Sequence, residues 1–326
     1  MAGHQMPSES EYDGGGQIMK RSSITSIALM WLLFATCLGD TMGSTISVKD
    51  DLGRIVSLHK ITKRIVSLAP STTEILFAIG AGKLVVGADE WSDYPPEARQ
   101  IPRVGPYMRP NIEKIAMLRP DLIVVASNVI PKNIVTDLEQ RLRCPVFVTA
   151  PRTVATIFSG IERIGKLVGK AKRAQRLVAQ LRKRINKVKQ RIRGRKPVPV
   201  FVEVAPPPSL MGVGVGNFID DAIRIAGGEN VLKRLHSRSD FPLVSLERLM
   251  LLNPRIYVIA AHGSMGREQA LSQVRKRIGF NQLSAVRNDR VYAVNADYLF
   301  RPGPRIVLGI IELARILHPD AFAQRK

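Results

Sequence analysis

The stretch Gly169–Gly194, GKAKRAQRLVAQLRKRINKVKQRIRG, decides the fold of this chain. Lys and Arg fill eleven of its 26 positions, no proline interrupts it, and Gly194 followed by Pro197 ends it. Its apolar residues recur in steps of four, four, three and four, which is helical spacing. They are Leu177, Leu181, Ile185, Val188 and Ile192. The stretch therefore predicts a single helix of roughly seven turns.

The sequences on both sides of this helix predict α/β lobes. Short apolar strands such as Leu122–Ala126 and Ile256–Ala261 alternate with helices, a pattern typical of parallel sheets. A long helix between two such lobes is a rigid strut and not a flexible linker. We therefore predict an α/β fold of two lobes joined by one long rigid helix, with a ligand cleft between the lobes. The predicted divisions are a signal and upstream segment (1–44), an N-terminal lobe (45–152), a bridging helical segment (153–196) and a C-terminal lobe (197–326).

The N-terminal residues have the pattern of a secretory signal peptide. Lys20 and Arg21 precede the apolar run Ile27–Leu38, and small residues follow it. The run is short for a membrane span, although an uncleaved anchor is the alternative. Met19 is a plausible true start. We expect cleavage within residues 37–46 and a periplasmic protein.

Cysteine use and charge add two further expectations. The residues before Cys37, Phe34-Ala35-Thr36, depart from the Leu-small-small pattern and argue against a lipid anchor there. Removal of residues 1–44, with two basic and four acidic residues, would raise the net charge from +22 to +24 and leave Cys144 as the one cysteine, so no internal disulfide is expected. The basic helix lacks interleaved aromatic residues, and we predict no nucleic-acid partner.

Two local patterns concern the first lobe. Residues 46–58 alternate apolar and polar around Gly53, which predicts a β-hairpin with its turn at that glycine. The segment Ser71-Thr72-Thr73-Glu74 follows a short strand and has the form of a capping box that opens a helix.

The two lobes contain a repeated unit. Residues 111–126 read NIEKIAMLRPDLIVVA, and residues 245–260 read SLERLMLLNPRIYVIA. Both have a capping residue, a Glu two places later, an apolar helix, a Pro and a strand that ends in Ala. Any helix–Pro–strand unit looks broadly like this, but the matched Glu113 and Glu247 favour an internal duplication.

The sequence supplies no catalytic constellation. It contains no phosphate loop, no dinucleotide fingerprint, no HExxH and no CxxC pair. The histidines at 59, 236, 262 and 318 are scattered without ligand spacing. We therefore predict a binding protein and not an enzyme, with no catalytic residues, no bound metal and no resident cofactor.

A binding cleft is the favoured site. Trp91, Tyr94 and Tyr107 lie on the long loop 88–110, and ligands of open α/β sheets bind at the carboxyl ends of strands. The residues expected opposite them, after the last strand of the second lobe, are Asp297, Tyr298 and Arg301. Aromatic walls with a few polar groups suit a flat, bulky, mostly apolar ligand. The alternative is that these aromatic side chains pack under their own loops.

Three segments resemble the substrate-binding proteins of cobalamin and iron-chelate ABC importers. They are residues 64–74 (RIVSLAPSTTE), 91–96 (WSDYPP) and 301–305 (RPGPR), and the resemblance covers about residues 46–318. The cobalamin-binding branch is most similar, through WSDYPP and residues 111–113. The resemblance implies two α/β lobes joined by one long helix, with the ligand between them.

The resemblance also implies a function. It implies that the protein captures cobalamin or a related corrinoid and delivers it to an inner-membrane ABC permease dimer, with Pro70, Ser71, Trp91, Tyr107, Asp297, Tyr298 and Arg301 as ligand-binding residues. Haem, with Tyr107 as iron ligand, and an anionic ferric siderophore near Arg301 are the alternative ligands. The family's further aromatic residues near Ala126 and Val204 are absent here.

The resemblance further implies that Glu113 and Glu247 dock onto arginines of the two permease subunits, and we expect the receptor to be a monomer. The local alternative is that each carboxylate only stabilises its helix N-terminus. A hypothesis from another class is an exported chelatase-like enzyme that acts on a tetrapyrrole, with His262 as its candidate residue.

Overall fold

The computed structural model describes residues 45–126 and 132–323, so the predicted signal segment and Cys37 lie outside the described residues. The described chain begins with the antiparallel hairpin β1 (Ile46–Lys49) and β2 (Ile55–Leu58). Gly53 sits in the connecting turn with φ +83°, a left-handed conformation that favours glycine. The predicted hairpin is therefore confirmed.

The first lobe is a parallel four-stranded sheet with helices. Its strands pair in the order β4-β3-β5-β6, and every pairing is parallel. The strands are β3 (Ile65–Leu68), β4 (Val85–Ala88), β5 (Leu122–Ala126) and β6 (Val146–Thr149), and the helices are α1 (Pro70–Ala78), α2 (Ile112–Met117) and α3 (Lys132–Leu142). All four residues of β3, all five of β5 and all four of β6 are buried, as expected for strands covered on both faces.

Two consecutive helices, α4 (Val154–Leu167) and α5 (Ala171–Arg191), follow the first sheet. Twenty-one residues make α5 about 31 Å long at 1.5 Å per residue. Its N-terminal turn lies against the first lobe, where Arg173 approaches Gly80, and its C-terminal end reaches Gly227 of the second lobe through Ile192. Thus α5 is the helix that spans both lobes.

The buried face of α5 differs slightly from the predicted stripe. The buried residues are Ala174, Val178, Leu181, Ile185 and Val188. Leu177 and Ile192 are only half-buried. The glycine at position 165 lets α4 approach α5 closely at this point, because a Cβ on Gly165 would lie 2.4 Å from the Ala174 Cβ.

The second lobe is a mixed five-stranded sheet. Its order is β11-β10-β7-β8, with β9 also paired to β7, and only the β7–β8 pairing is antiparallel. The strands are β7 (Val198–Ala205), β8 (Met211–Gly212), β9 (Gly228–Asn230), β10 (Ile256–Ala261) and β11 (Val291–Asn295). The helices are α6 (Phe218–Ile225), α7 (Leu246–Leu252), α8 (Arg267–Arg275), α9 (Ser284–Arg287), α10 (Ala296–Phe300) and α11 (Ile306–Leu317). The predicted α/β class is confirmed, while the boundaries at residues 152 and 196 stay predictions.

The predicted capping box at Ser71–Glu74 is wrong. Helix α1 begins at Pro70, its N-cap is Ala69, and no side chain caps it. The Thr72 and Thr73 hydroxyls bond to Ser67, and the Glu74 carboxylate bonds to Arg305. These side chains are buried, so tertiary partners compete successfully with the local cap.

The repeated units of the two lobes have the same local structure. The Asn111 side chain accepts a hydrogen bond from the Lys114 backbone N–H, and Ser245 accepts one from Arg248 in the same way. Each helix leads to a strand, β5 or β10, that lies in the interior of its sheet. Within residues 45–126 and 132–323, no helix is long and apolar enough to cross a membrane.

Candidate functional site

A cleft of about 710 Å³ lies between the lobes at the carboxyl ends of their strands. From the first lobe it is lined by Ala69, Pro70, Ser71, Trp91, Asp93, Tyr107 and Ala126. From the second lobe it is lined by His262, Gly263, Asn295, Asp297, Phe300, Arg301 and Pro302. Its size is in the range of small-molecule sites in proteins.

Trp91 is presented to the cleft by a tight turn after β4. Its backbone N–H donates to Asp89 Oδ2 at 3.0 Å, and the hydroxyl of Ser92 donates to Asp89 Oδ1. The Asp89 side chain is buried, and this burial raises its pKa. The indole itself is 59% exposed, so it does not pack under its own loop.

A buried hydroxyl network supports this turn from below. Thr73 Oγ1 lies 2.8 Å from Ser67 Oγ and 2.8 Å from Ser92 Oγ, and Thr72 Oγ1 lies 2.7 Å from Ser67 Oγ. The network connects β3, α1 and the turn at Asp89. Satisfied buried polar groups hold neighbouring elements in one arrangement, and here they fix the first-lobe wall of the cleft.

Arg301 joins the two walls of the cleft. Its Nη1 lies 2.6 Å from Asp93 Oδ1 of the first lobe, and its Nε lies 3.1 Å from Asp297 Oδ1 of the second. Burial opposes ionisation of Asp93, but the hydrogen bond and charge of Arg301 outweigh it, and the pKa of Asp93 lies below its ordinary value. Two carboxylates thus share one guanidinium at the polar end of the cleft.

A second cross-lobe pair lies deeper. The Arg305 backbone N–H and Nε donate to the two oxygens of Glu74 at 2.9 and 2.8 Å. The Glu74 side chain is 3% exposed, and burial raises its pKa even though Arg305 opposes the shift. Gly303 passes so close that a Cβ there would lie 3.3 Å from the carboxyl group. The motif RPGPR therefore fits around a buried glutamate.

A neighbouring cavity of about 500 Å³ continues the cleft, since both share Tyr107, His262 and Phe300. Phe241 also lines it and packs edge-on against Phe300, with ring centroids 6.2 Å apart. At its rim Arg152 Nη1 donates to both oxygens of Asp240, at 2.8 and 2.9 Å, across the gap between the lobes. The combined space has aromatic walls and charged ends.

Six of the seven ligand-binding residues expected from the sequence line this cleft: Pro70, Ser71, Trp91, Tyr107, Asp297 and Arg301. The seventh, Tyr298, is not among the described residues that line the cleft. Its ring lies beside the Arg305 guanidinium, 5.8 Å from ring centroid to Cζ. The reason is helical geometry: Asp297 and Phe300 share one face of α10, and Tyr298 is rotated by about 100° from Asp297. Arg301, the residue after α10, returns to the same side and pairs with Asp297.

Tyr94, like Tyr298, contacts Arg305, which is not among the described residues that line the cleft. The Arg305 guanidinium stacks on its ring at 3.8 Å. Tyr94 therefore does not line the cleft, and its ring packs against the Arg305 guanidinium that pairs with Glu74.

The sequence missed Asp93, Phe241 and Phe300. Asp93 lies inside the motif WSDYPP, and its charge beside two aromatic residues was an available signal. Phe300 lies three residues after Asp297, which on a helix predicts the same face. Phe241 had no sequence signal, because it comes from a loop that only the tertiary fold brings to the cleft.

Glu113 and Glu247 lie in the first turns of α2 and α7, and both are exposed. A hydrogen bond with the Ser245 hydroxyl lowers the pKa of Glu247. Both carboxylates are therefore available to a partner.

His262 is largely exposed at the end of β10, and its Nδ1 lies 3.7 Å from Asp297 Oδ1. Within the part of the chain that the structure describes, no group of three or more His, Cys, Asp and Glu side chains is placed to hold a metal ion.

Similar proteins include a substrate-binding lipoprotein of an ABC transporter and vitamin B12-binding proteins. A substrate-binding lipoprotein of an ABC transporter from Bacillus subtilis, YvrC, is 28% identical over 86% of this chain and 87% of the relative. A vitamin B12-binding protein of Vibrio cholerae is 30% identical over 78% of this chain and 89% of the relative.

Two solved structures of periplasmic binding proteins superpose on this chain. The periplasmic vitamin B12-binding protein BtuF of Vibrio cholerae superposes with a TM-score of 0.69 at 28% identity, over 81% of this chain and 99% of that one. The periplasmic heme-binding protein RhuT of Roseiflexus sp. RS-1 also superposes with a TM-score of 0.69, at 26% identity, over 80% and 99%. Residues 65–298 match the family described as periplasmic binding protein, and the chain belongs to that family.

Proposed function

We propose that this protein is an extracytoplasmic solute-binding receptor of an ABC importer, which captures cobalamin or a related corrinoid and delivers it to the inner-membrane permease. The observation that carries the proposal is the cleft between the lobes. Trp91, Tyr107 and Phe300 line it, and a charged cluster of Asp93, Asp297 and Arg301 lies at one side. This arrangement suits a bulky ligand with an apolar body and polar fringes.

The likeness to vitamin B12-binding proteins supports the corrinoid over other solutes. The family consists of binding proteins, which supports a receptor rather than an enzyme. Export through residues 1–44 into the periplasm, without a lipid on Cys37, is part of the proposal and concerns residues outside the described range.

Haem is the second candidate ligand. The equal TM-score to the heme-binding RhuT and the presence of Tyr107 on both cavities favour it, because a phenolate can ligate ferric iron. An anionic siderophore is less well supported, since Asp93 and Asp297 already neutralise Arg301.

The decisive experiment is isothermal titration of the mature protein with cyanocobalamin, haemin and a ferric siderophore. We expect saturable binding of cyanocobalamin and retention of the corrinoid through dialysis. A haem Soret band with no retained cobalamin would overturn the corrinoid assignment and leave the receptor class standing.

The enzyme hypothesis has its own test. His262 with Asp297 is the pair that such a tetrapyrrole-processing enzyme would use, at 3.7 Å. Purified protein that inserts or removes metal, and a His262→Ala variant that does not, would replace the receptor proposal. We expect no metal turnover from either.

Permease docking is proposed through Glu113 and Glu247. A two-fold permease presents two equivalent surfaces, and the two repeated units offer one exposed carboxylate each. Arginine pairs with carboxylate in a bidentate, orientation-specific way. A monomeric receptor is sufficient for this arrangement.

A further inference from the structure

A groove of about 600 Å³ lies between the outer side of α5 and α11, and the function proposed above does not use it. Four cationic side chains surround the groove: Arg184, Lys187 and Arg191 from α5 and Arg315 from α11. Among the described residues, none of its lining side chains also lines the interlobe cleft.

The floor of the groove is apolar. Val188, Ile311 and Phe322 line it, and Phe322 and Ile311 are only half-buried, so water reaches apolar surface there. The Arg191 guanidinium lies over the Phe322 ring, 5.2 Å from its centroid. A basic rim around an exposed apolar floor matches a ligand that has an anionic head and an apolar body.

The positive charge of this face is scarcely compensated. Helix α5 carries nine Lys and Arg residues and no Asp or Glu, and all nine are exposed. Among the described residues, Arg182 is the only cation of α5 that forms an ion pair, and its partner is Glu162 at 4.0 Å. None of the described residues that line the groove is acidic. Glu312 interacts with the charge of Arg315, and Asp320 lies 3.9 Å from Arg195.

We propose that the groove between α5 and α11 is a docking site for an anionic phospholipid surface, with lipid phosphates between Arg184, Lys187 and Arg191 and lipid carbon on the Phe322 floor. Each basic side chain near an anionic membrane adds to the attraction, and a partly exposed aromatic ring such as Phe322 can bury its remaining apolar surface in the interface. A nucleic acid fits less well, because Phe322 is the one aromatic side chain among the lining residues, whereas sites for single-stranded nucleic acid stack successive bases on several rings. The proposal does not depend on which solute the cleft holds.

The test measures binding of the mature protein to sedimented vesicles of phosphatidylglycerol and phosphatidylcholine, and to vesicles of phosphatidylcholine alone. We expect binding to the anionic vesicles only, and weaker binding at high salt. An Arg184→Gln/Lys187→Gln/Arg191→Gln variant should lose about 100-fold in vesicle affinity. Phe322→Ala, which leaves the net charge unchanged, should also weaken binding.

The matched control removes three charges elsewhere. Lys166→Gln/Lys172→Gln/Arg176→Gln changes three exposed residues outside the groove, and along α5 Arg176 lies about 12 Å from Arg184. We expect the control to lose less than about 10-fold, since screened charges act over about 10 Å. Urea unfolding of each variant, compared with the wild type, shows that it is folded.

Two results would overturn the proposal. Equal losses in the groove and control variants, or an unaffected Phe322→Ala, would mean that binding follows net charge alone. Equal affinity for duplex DNA and for anionic vesicles would mean a general polyanion surface and no lipid site.

Discussion

At the residue scale, Trp91 combines a backbone turn that is held by hydrogen bonds with a side chain that is largely exposed. The buried Asp89 and Ser92 hold its backbone turn, while its indole is 59% exposed in the cleft. Its ring is therefore free to contact a ligand without a loss of core contacts.

Replacing Trp91 by Ala should weaken ligand binding by roughly 1–3 kcal/mol, because a buried aromatic anchor contributes about that much in a complex. Stability should change by about 0.5 kcal/mol or less, as for other exposed positions. Isothermal titration with cyanocobalamin and urea unfolding measure the two quantities, and Leu251→Ala, at another exposed apolar residue, is the control. Intact affinity with a large loss of stability would show that the indole packs in its own loop.

Glu312 is a residue whose charge opposes folding. Burial raises its pKa above 4.5, although the Asn295 backbone N–H and Arg315 act against this shift. Among the described atoms, its Oε2 has no hydrogen-bond partner. A carboxyl group with a raised native pKa binds its proton more tightly in the folded state, so its contribution to stability is lost as the pH rises from 4.5 through the native pKa.

Glu312→Gln should therefore become more stable than the wild type as the pH rises through that window, and the difference should stay constant at neutral pH. Glutamine keeps an acceptor oxygen for the Asn295 N–H and carries no charge. Urea unfolding of both proteins between pH 4 and pH 7 measures the difference. A stability difference that does not change with pH would contradict the raised pKa.

At the scale of a single secondary-structure element, α5 has one buried apolar face and one exposed cationic face. Its five buried residues face α4 and the lobes, and its nine cations face solvent. Neighbouring positions on this helix consequently have opposite roles.

Ile185→Ala should lower the free energy of unfolding by about 2–5 kcal/mol, since it removes buried methylene groups and leaves a cavity. Lys183→Ala, two residues earlier and exposed, should change it by about 0.5 kcal/mol or less. Urea unfolding of the two variants compares them directly. Similar small effects of both changes would mean that α5 contributes little to the cores of the lobes.

At the scale of the whole molecule, the lobes are connected by more than the helix. Glu74–Arg305, Asp93–Arg301 and Arg152–Asp240 all cross between them. A bridging helix also resists bending, because bending breaks its backbone hydrogen bonds.

We expect only small lobe movements when the ligand binds, in contrast to receptors hinged on extended strands. Small-angle X-ray scattering of the mature protein with and without cyanocobalamin should give matching profiles. A clear decrease of the radius of gyration on binding would refute this expectation.

The two exposed glutamates provide the last prediction at this scale. Glu113→Ala and Glu247→Ala should leave ligand affinity unchanged but reduce uptake, and the double variant should be more impaired than either single one. Transport assays at matched expression, with ligand titration of each variant, measure both. Normal uptake by the double variant would leave only a helix-terminus role for these carboxylates.

The sequence by itself determined the features that depend on nearby residues. The spacing of apolar residues predicted α5, and the side chains of Asn111 and Ser245 cap their helices as expected. Gly53 marked the hairpin turn. Each depends on interactions within a few residues along the chain, which a pattern of residue types specifies directly.

Only the tertiary structure decided which distant side chains meet. Glu74 pairs with Arg305 across 231 residues and Asp93 with Arg301 across 208, and neither sequence neighbourhood indicates the partner. The local rule even misassigned Glu74 to a helix cap. The reason is physical: a carboxylate buried between two lobes needs a cation to compensate its lost hydration, and only the packing of the lobes supplies one.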